Sequence, residues 1–302
     1  MATYALAWPL LWWSTHGGDL ELLAVIAMCV PGGVGLVLSW AMRREGPSAA
    51  RVGLGSIAAW PIAFLAPPLM AAAIALLAAR LGTLVRTADY WIDLPYVGAA
   101  TGLRVLAKVL LFMFILHGTY VLPAVVEDRT ERIRALPRGA LRVATWTIPM
   151  VVGHIAGDFG EELGWRGFLV RRWEDRPRVA VVLSSVAWSL FHTPWAVDIA
   201  RTSGTPRALL FLVGIALLGV PMAALYRWGR SVWPCAIAHG GFDMWTSMLL
   251  GNTVTPSLPT YSYVTGGNFG VIGVAVFALI AVAAWPFATR SVSAAVPAPA
   301  RL

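Results

Sequence analysis

Long apolar runs, separated by short polar or arginine-bearing segments, make up most of the 302-residue chain. A membrane-spanning helix needs roughly 17–25 mostly apolar residues to cross the hydrocarbon core. The pattern therefore predicts an all-α fold, a polytopic transmembrane helix bundle of about eight spans. The predicted spans cover residues 20–42, 53–81, 105–126, 143–170, 178–196, 207–227, 231–250 and 269–288.

Two of these spans depart from a regular apolar helix. The span 53–81 contains prolines, among them Pro67 and Pro68, and these predict a kink or a break. The span 105–126 carries Lys108 one turn from its start, where a long side chain can reach the interface.

Composition supports the bilayer as the solvent of this chain. Hydrophobic residues make up 58% of it, charged residues only 13%, and the mean hydropathy is +0.71. A soluble domain is about half apolar and a quarter charged. The net charge is +8, but the arginines sit in short loops between spans, which is typical of anchors at lipid headgroups and not of a nucleic-acid site. We expect a multi-pass protein of the cell membrane whose surroundings are the lipid bilayer.

Loop charges do not settle the orientation. Arginines in 127–142 and in 171–178 both indicate a cytoplasmic loop, and the uncharged segment 251–268 looks external. Eight regular spans cannot satisfy all three indications. Either the span count differs by one, or one segment is re-entrant or interfacial.

Several ionisable residues lie inside the predicted spans, where a charge costs about 2.5–3.5 kcal/mol and marks a functional candidate. The fourth span holds five of them, the fifth holds one histidine and the seventh holds a histidine and an acid. They are His154, Asp158, Glu161, Glu162, Arg166, His192, His239 and Asp243.

Helical periodicity groups the polar residues of the fourth span. At about 100° per residue, His154, Asp158, Glu161 and Glu162 form one stripe. Glu162 and Arg166 have the i,i+4 spacing of an ion pair. Glu161 points away from that pair, so one glutamate can be neutralised while the other serves chemistry.

The other two helices have their own pairs. His239 and Asp243 are spaced i,i+4, and Trp188 precedes His192 by four residues, which places an aromatic ring against the imidazole. Small residues let membrane helices approach closely. Four glycines accompany the acidic stripe, and we expect them to pack the fourth span against the helices that carry the histidines. They are Gly153, Gly157, Gly160 and Gly164.

Three motifs in this order resemble those of the CPBP family, which comprises CAAX prenyl endopeptidases and bacteriocin-processing or immunity-type membrane proteins. The run 160–169 is similar to its Glu-Glu-x-x-x-Arg signature. The run 188–192 resembles its second motif, with Trp where Phe is usual, and 239–243 resembles the third, His-x-x-x-Asn or Asp. The resemblance covers roughly 143–250.

The resemblance predicts three regions. Residues 1–142 form an N-terminal transmembrane region without a recognised motif, and 143–250 form the CPBP-like catalytic core. Residues 251–302 add a last transmembrane helix and a disordered Ala/Pro-rich tail.

The same resemblance implies an intramembrane endopeptidase, a protease of the CAAX type. Glu161 and His192 would activate a water molecule, and His239 with Asp243 would stabilise the oxyanion. Glu162, Arg166 and Trp188 would support the site. The polar stripe leaves two alternatives for His154 and Asp158, which either support the same site or only join the helices around it. The substrate would be a peptide or protein near the membrane, and nothing in the sequence indicates a prenyl-binding groove.

Two questions stay open at this level. Zinc is a candidate cofactor, with Glu161, His192, His239 and Asp243 as its ligands. The absence of a His-Glu-x-x-His pattern favours a glutamate-and-water mechanism without metal. An ionised Asp243 cannot donate to an oxyanion, so it must be protonated, orient His239 or bind a metal.

Two other functions fit the composition. A non-catalytic CPBP-like immunity or scaffold protein would bind a peptide or partner through the same residues. A transporter would relay protons through its intramembrane acids, but the chain has no internal repeat of the kind that many transporters contain.

Overall fold

A computed structural model describes residues 1–16, 21–43, 47–80, 157–250 and 269–290. Within these ranges the fold is all-α, as predicted, with nine α-helices, a 3-10 helix at Pro47–Ala50 and no β-strand. The α-helices are α1 (Ala2–His16), α2 (Glu21–Arg43), α3 (Ala59–Arg80), α4 (157–172), α5 (Pro177–Phe191), α6 (Thr193–Ser203), α7 (Thr205–Gly229), α8 (Trp233–Leu250) and α9 (Val271–Thr289).

Three described helices are long and apolar enough to cross a membrane, namely α2, α7 and α9. The α5–α6 pair becomes a fourth if it is counted as one bent span. The predicted third span, 105–126, and the start of the fourth lie outside the described residues, so the number eight stays a prediction. The predicted tail after residue 290 also lies outside them.

The span predicted over 178–196 is not one straight helix. Helices α5 and α6 meet at His192 with a bend of 54°. The backbone of His192 has φ −82° and ψ 9°, and its N–H donates to the carbonyl of Ser189 at 3.1 Å. Pro194 in the first turn of α6 lacks an N–H and disfavours helical geometry before it. A bent segment is one of the two arrangements that the loop charges leave open, the other being a different number of spans.

The outer face of α5 is apolar. Val179, Val182, Val186 and Leu190 recur at helical spacing, and each side chain is more than two-fifths exposed. A stripe of exposed aliphatic side chains would be unfavourable in water but matches the hydrocarbon of a bilayer.

The N-terminal helices form one body with the motif-bearing helices. Helix α3 begins at Ala59 and continues through Pro67 and Pro68. The loop before it docks on the α7–α8 turn, where the Ser231 hydroxyl donates to the Gly53 carbonyl and the Ser56 N–H donates to Gly229.

The first helix was not among the predicted elements. Its Tyr4 hydroxyl donates to the carbonyl of Ala187 at 3.0 Å, and its Trp8 indole donates to that of Phe191 at 3.2 Å. These bonds satisfy carbonyls in the last turn of α5, immediately before His192.

The glycines of α4 do not pack where the sequence suggested. The prediction that they face the histidine-bearing helices is wrong, because Gly160 and Gly164 contact α2 at Cys29 and Pro31. Periodicity assigns residues to a helix face but does not identify the neighbouring helix. Gly153 lies outside the described residues.

We expect Gly160→Ala to destabilise the protein by about 1–3 kcal/mol, the usual cost of overpacking. A Cβ there would lie 2.6 Å from the Cα of Cys29, which is backbone and cannot rotate away. Gly33→Ala on α2 is the matched control, because a Cβ there meets nothing within 4 Å, and alanine favours a helix by up to about 1 kcal/mol. Unfolding in detergent, followed by circular dichroism, measures both, and equal stability of the two variants would contradict the close α2–α4 contact.

Arginines gather at one end of the bundle. Arg51 forms a salt bridge to Glu174 at 2.7 Å and lies over the Tyr226 ring. Arg227 near the end of α7 donates to the carbonyl of Arg290 after α9 at 2.7 Å. The ends of α4, α7 and α9 therefore share one basic surface.

Candidate active site

The polar stripe of α4 is fully buried. Asp158, Glu161, Glu162 and Arg166 each have no exposed surface. Past Glu162 the backbone adopts π-helical turns over Leu163–Val170, a local widening that is frequent at functional sites. His154, which the sequence placed on the same stripe, lies outside the described residues.

Glu162 links α4 to α8. Its Oε1 accepts a hydrogen bond from Arg166 at 2.8 Å, which is the ion pair that the i,i+4 spacing indicates. The same oxygen lies 3.2 Å from Nδ1 of His239. The Arg166 guanidinium also lies over the Trp188 ring at 4.4 Å. The ion pair of Glu162 and Arg166 is thus in contact with His239 on α8 and with Trp188 on α5.

Glu161 has different partners from Glu162. Its Oε2 accepts a hydrogen bond from the Trp188 indole at 2.6 Å. Its Oε1 is buried and has no hydrogen-bond partner within the described part of the chain. Glu162 also has one buried oxygen without such a partner, so the two adjacent glutamates differ in the partner that they do have, which is a guanidinium for Glu162 and a neutral indole for Glu161.

His192 sits at the α5–α6 bend with a defined orientation. Its Nδ1 lies 2.9 Å from the carbonyl oxygen of Trp188, and its ring meets the Trp188 ring edge-on at 5.8 Å. A carbonyl only accepts, so Nδ1 carries the hydrogen and Nε2 keeps its lone pair. The imidazole can therefore accept a proton or a hydrogen bond through Nε2.

His239 and Asp243 occupy one face of α8. Nε2 of His239 lies 3.7 Å from Oδ2 of Asp243, whose side chain is 32% exposed. The His239 ring meets the Trp188 ring at 4.9 Å. Asp243 therefore lies at the more open side of the site, and His239 lies between it and the buried acids of α4.

Trp188 is the common neighbour of these groups. It bonds Glu161, stacks under Arg166 and contacts both histidine rings. Sequence reasoning gave Trp188 only a supporting place beside His192. It missed the indole bond to Glu161, because a donor–acceptor pair 27 residues apart has no periodic signal.

The sequence also gave no indication that Asp158 lies next to His239. Its Oδ1 lies 4.0 Å from Nδ1 of His239, so α4 and α8 bring it to the site. Asp158, His239 and Asp243 each offer one ligand atom within 4.8 Å of the others, and this group could hold a metal ion. It shares two residues with the zinc ligands expected from the sequence and has Asp158 in place of Glu161 and His192.

The fold and the site together define a class, a helical membrane protein with acids, histidines and one arginine buried at the meeting of three helices. Residues 143–245 match the family model described as type II CAAX prenyl endopeptidase, Rce1-like. This match, over about a third of the chain, confirms the recognition from the motifs and supports the CPBP/CAAX protease family for residues 143–245. Among curated proteins, no sequence matches the chain significantly. The family supports a membrane protein and, in general terms, a CAAX-type intramembrane endopeptidase.

Proposed function

We propose that the protein is an intramembrane endopeptidase that hydrolyses a peptide bond with a water molecule activated by Glu161 and His192. The observation that carries this proposal is the unequal pairing of the two glutamates. Glu162 is paired with the Arg166 cation, whereas the carboxylate of Glu161 accepts a hydrogen bond from the neutral Trp188 indole and has its other oxygen without a partner in the described residues. A buried carboxylate with a spare oxygen is suited to hold and deprotonate a water molecule.

In the proposed reaction, one proton moves from the water molecule to Glu161 and then to the leaving group. Glu161 takes one proton of the water, and Nε2 of His192 accepts a hydrogen bond from it and orients its lone pair. The hydroxide attacks the scissile carbonyl, whose oxygen becomes negative and lies toward His239 and Asp243. Glu161 then gives the proton to the amide nitrogen, the oxyanion re-forms the carbonyl, and the C–N bond breaks to release an amine and a carboxylic acid. Hydrogen-bond donors aimed at such an oxyanion lower the activation barrier by about 3–4 kcal/mol.

The remaining residues of the stripe are assigned to support. Glu162 and Arg166 hold the first motif to His239 and Trp188, and Trp188 positions the carboxylate of Glu161. The catalytic core in this proposal is 143–250, flanked by 1–142 and 251–302, and α1 and α2 brace it through the contacts given above.

The proposed setting is the cell membrane, which the chain crosses several times. By the positive-inside rule, the arginine-rich end faces the cytoplasm. The substrate is a peptide or protein segment presented near the membrane surface, reaching the site on the side of Asp243, where the site is most exposed.

Cleavage by the purified protein tests the proposal. In proteoliposomes with quenched fluorescent peptides, both prenylated and unprenylated, we expect the wild type to cleave at least one class. His192→Ala and His239→Ala should each lower the rate by about 100-fold or more, because each removes a group that acts on the water or the oxyanion. Asp175→Asn, at an exposed position, should not change it.

Folding of each variant is checked by its elution profile in detergent. Full cleavage by both folded histidine variants would refute the catalytic assignment. An absence of cleavage by the wild type, with retained binding of a peptide or partner, would instead favour the non-catalytic scaffold or immunity protein.

A further inference from the structure

Three aromatic residues of α1 share one face of that helix and contact both helices that meet at His192. Tyr4, Trp8 and Trp12 are spaced i, i+4 and i+8, and the first two rings lie 5.3 Å apart. Tyr4 and Trp8 donate to carbonyls of α5, whereas the Trp12 ring lies under the guanidinium of Arg201 on α6 at 4.9 Å. Helix α1 therefore lies across the bend between α5 and α6.

The end of α5 shows how much of the bend depends on α1. Carbonyl groups in the last turn of a helix have no partner within that helix and need donors from elsewhere. Each of the carbonyls of residues 187–191 accepts a hydrogen bond from a side chain or backbone N–H outside α5. The pairs are Ala187 with the Tyr4 hydroxyl, Trp188 with Nδ1 of His192, Ser189 with the N–H of His192, Leu190 with the Thr193 hydroxyl, and Phe191 with the Trp8 indole. Two of these five donors come from α1, and the other three belong to the bend itself.

The Trp8 indole holds the peptide unit that precedes His192. It donates at 3.2 Å to the carbonyl of Phe191, which belongs to the peptide unit joining Phe191 to His192. Because a peptide unit is planar, it rotates as one body, and its rotation changes the φ angle of His192, here −82°. Such a rotation would also move the imidazole away from the Trp188 carbonyl, which holds Nδ1 at 2.9 Å.

The Tyr4 hydroxyl holds the peptide unit that precedes Trp188. It donates at 3.0 Å to the carbonyl of Ala187, which belongs to the peptide unit joining Ala187 to Trp188. Trp188 in turn accepts from Nδ1 of His192 through its carbonyl and donates to Glu161 through its indole. Both aromatic residues of α1 thus hold the peptide unit directly before a residue of the site.

We propose that Tyr4 and Trp8 are positioning residues for His192, which they hold through two backbone carbonyls so that its Nε2 faces the water molecule on Glu161. The effect on the reaction rate rests on the proposed function, whereas the hold on His192 does not. Neither residue belongs to the three motifs, and each acts through a carbonyl of α5. A displacement of about 1 Å at a catalytic group lowers a rate by up to about 100-fold.

Removal of the two donor groups tests the effect on the rate. Trp8→Phe removes the indole N–H and keeps an aromatic ring, and Tyr4→Phe removes only the hydroxyl. We expect each to lower kcat for peptide cleavage by about 10- to 100-fold and to leave KM unchanged, because the changes displace a catalytic group and remove no substrate contact. Trp13→Phe is the matched control on the same helix, because Trp13 is 64% exposed, and it should cleave like the wild type.

The hold on His192 is measured without substrate. ¹⁵N NMR of the full chain in detergent, labelled at its five histidines, reports the tautomer and hydrogen bonding of each ring, and His192→Ala identifies the His192 signal by its loss. In the wild type we expect the Nδ1–H tautomer, because a carbonyl only accepts. Trp8→Phe and Tyr4→Phe should shift this signal, and Trp13→Phe should not.

The two measurements together decide the proposal. An unshifted His192 signal in folded Trp8→Phe and Tyr4→Phe would overturn it, even if kcat fell, because the loss would then come from general packing. A shifted signal with full kcat would equally overturn the positioning role. If Trp8→Phe does not fold, Tyr4→Phe decides alone. A wild type that cleaves no peptide would reject the proposed function, and the His192 signal would then decide whether α1 holds the imidazole.

Discussion

Glu161→Gln is expected to lower the rate of peptide cleavage by about 10²–10⁴-fold, the usual contribution of a general base. Glutamine keeps the size of the side chain and an oxygen that can accept the Trp188 indole hydrogen bond. It cannot take a proton from water. The change therefore removes the chemistry and leaves the packing of α4 against α5 in place.

The measurement is the initial cleavage rate in proteoliposomes, with the folded fraction determined for each preparation. Glu174→Gln is the matched control, because Glu174 pairs with Arg51 at the basic end of the bundle and does not contact the site. Its rate should equal that of the wild type. A Glu161→Gln protein with full activity would reject Glu161 as the base, whatever the histidine variants do.

Arg166→Met is expected to destabilise the protein by about 3–5 kcal/mol, because it leaves the buried carboxylate of Glu162 without its guanidinium partner. Both partners of this ion pair are completely buried and 2.8 Å apart. The substitution also removes the cation from the face of the Trp188 ring.

The double variant Glu162→Gln/Arg166→Met separates the two contributions. Removing both charges should recover much of the lost stability, because neutral groups need no compensating charge. Arg176→Met is the control, since the side chain of Arg176 is 67% exposed and a surface pair is worth about 0–1 kcal/mol. Denaturant unfolding in detergent gives all four free energies. If Arg166→Met were no worse than Arg176→Met, the pair would not have the structural role assigned to it.

The sequence predicted contacts within one helix better than contacts between helices. Spacing alone paired Glu162 with Arg166, His239 with Asp243 and Trp188 with His192, since residues four apart on a helix share a face. These three contacts are present in the structure. Spacing did not reveal the bond between Trp188 and Glu161 or the approach of Asp158 to His239, because each joins residues on different helices.

The positions at which helices continue or end were also only partly predictable from the sequence. The prolines of α3 predicted a kink or a break, and the structure has no break there, because the helix continues through Pro67 and Pro68. Pro194 attracted no attention in the sequence, and a bend of 54° lies beside it at His192. A proline removes one backbone hydrogen-bond donor in α3 and in α6 alike. Whether the helix is interrupted at a proline depends on the residues that pack around it.

By itself, the sequence determined that this protein is an all-α membrane protein with a CPBP-type set of acids, histidines and one arginine. These features follow from hydropathy and from the 3.6-residue period, which are local properties of the chain. The packing of the helices revealed three further relations: the α4 glycines face α2, Trp188 joins both histidines to Glu161, and Asp158 and Asp243 lie on the two sides of one imidazole. Those relations depend on how separate helices are placed against one another, and no pattern within a single helix encodes that placement.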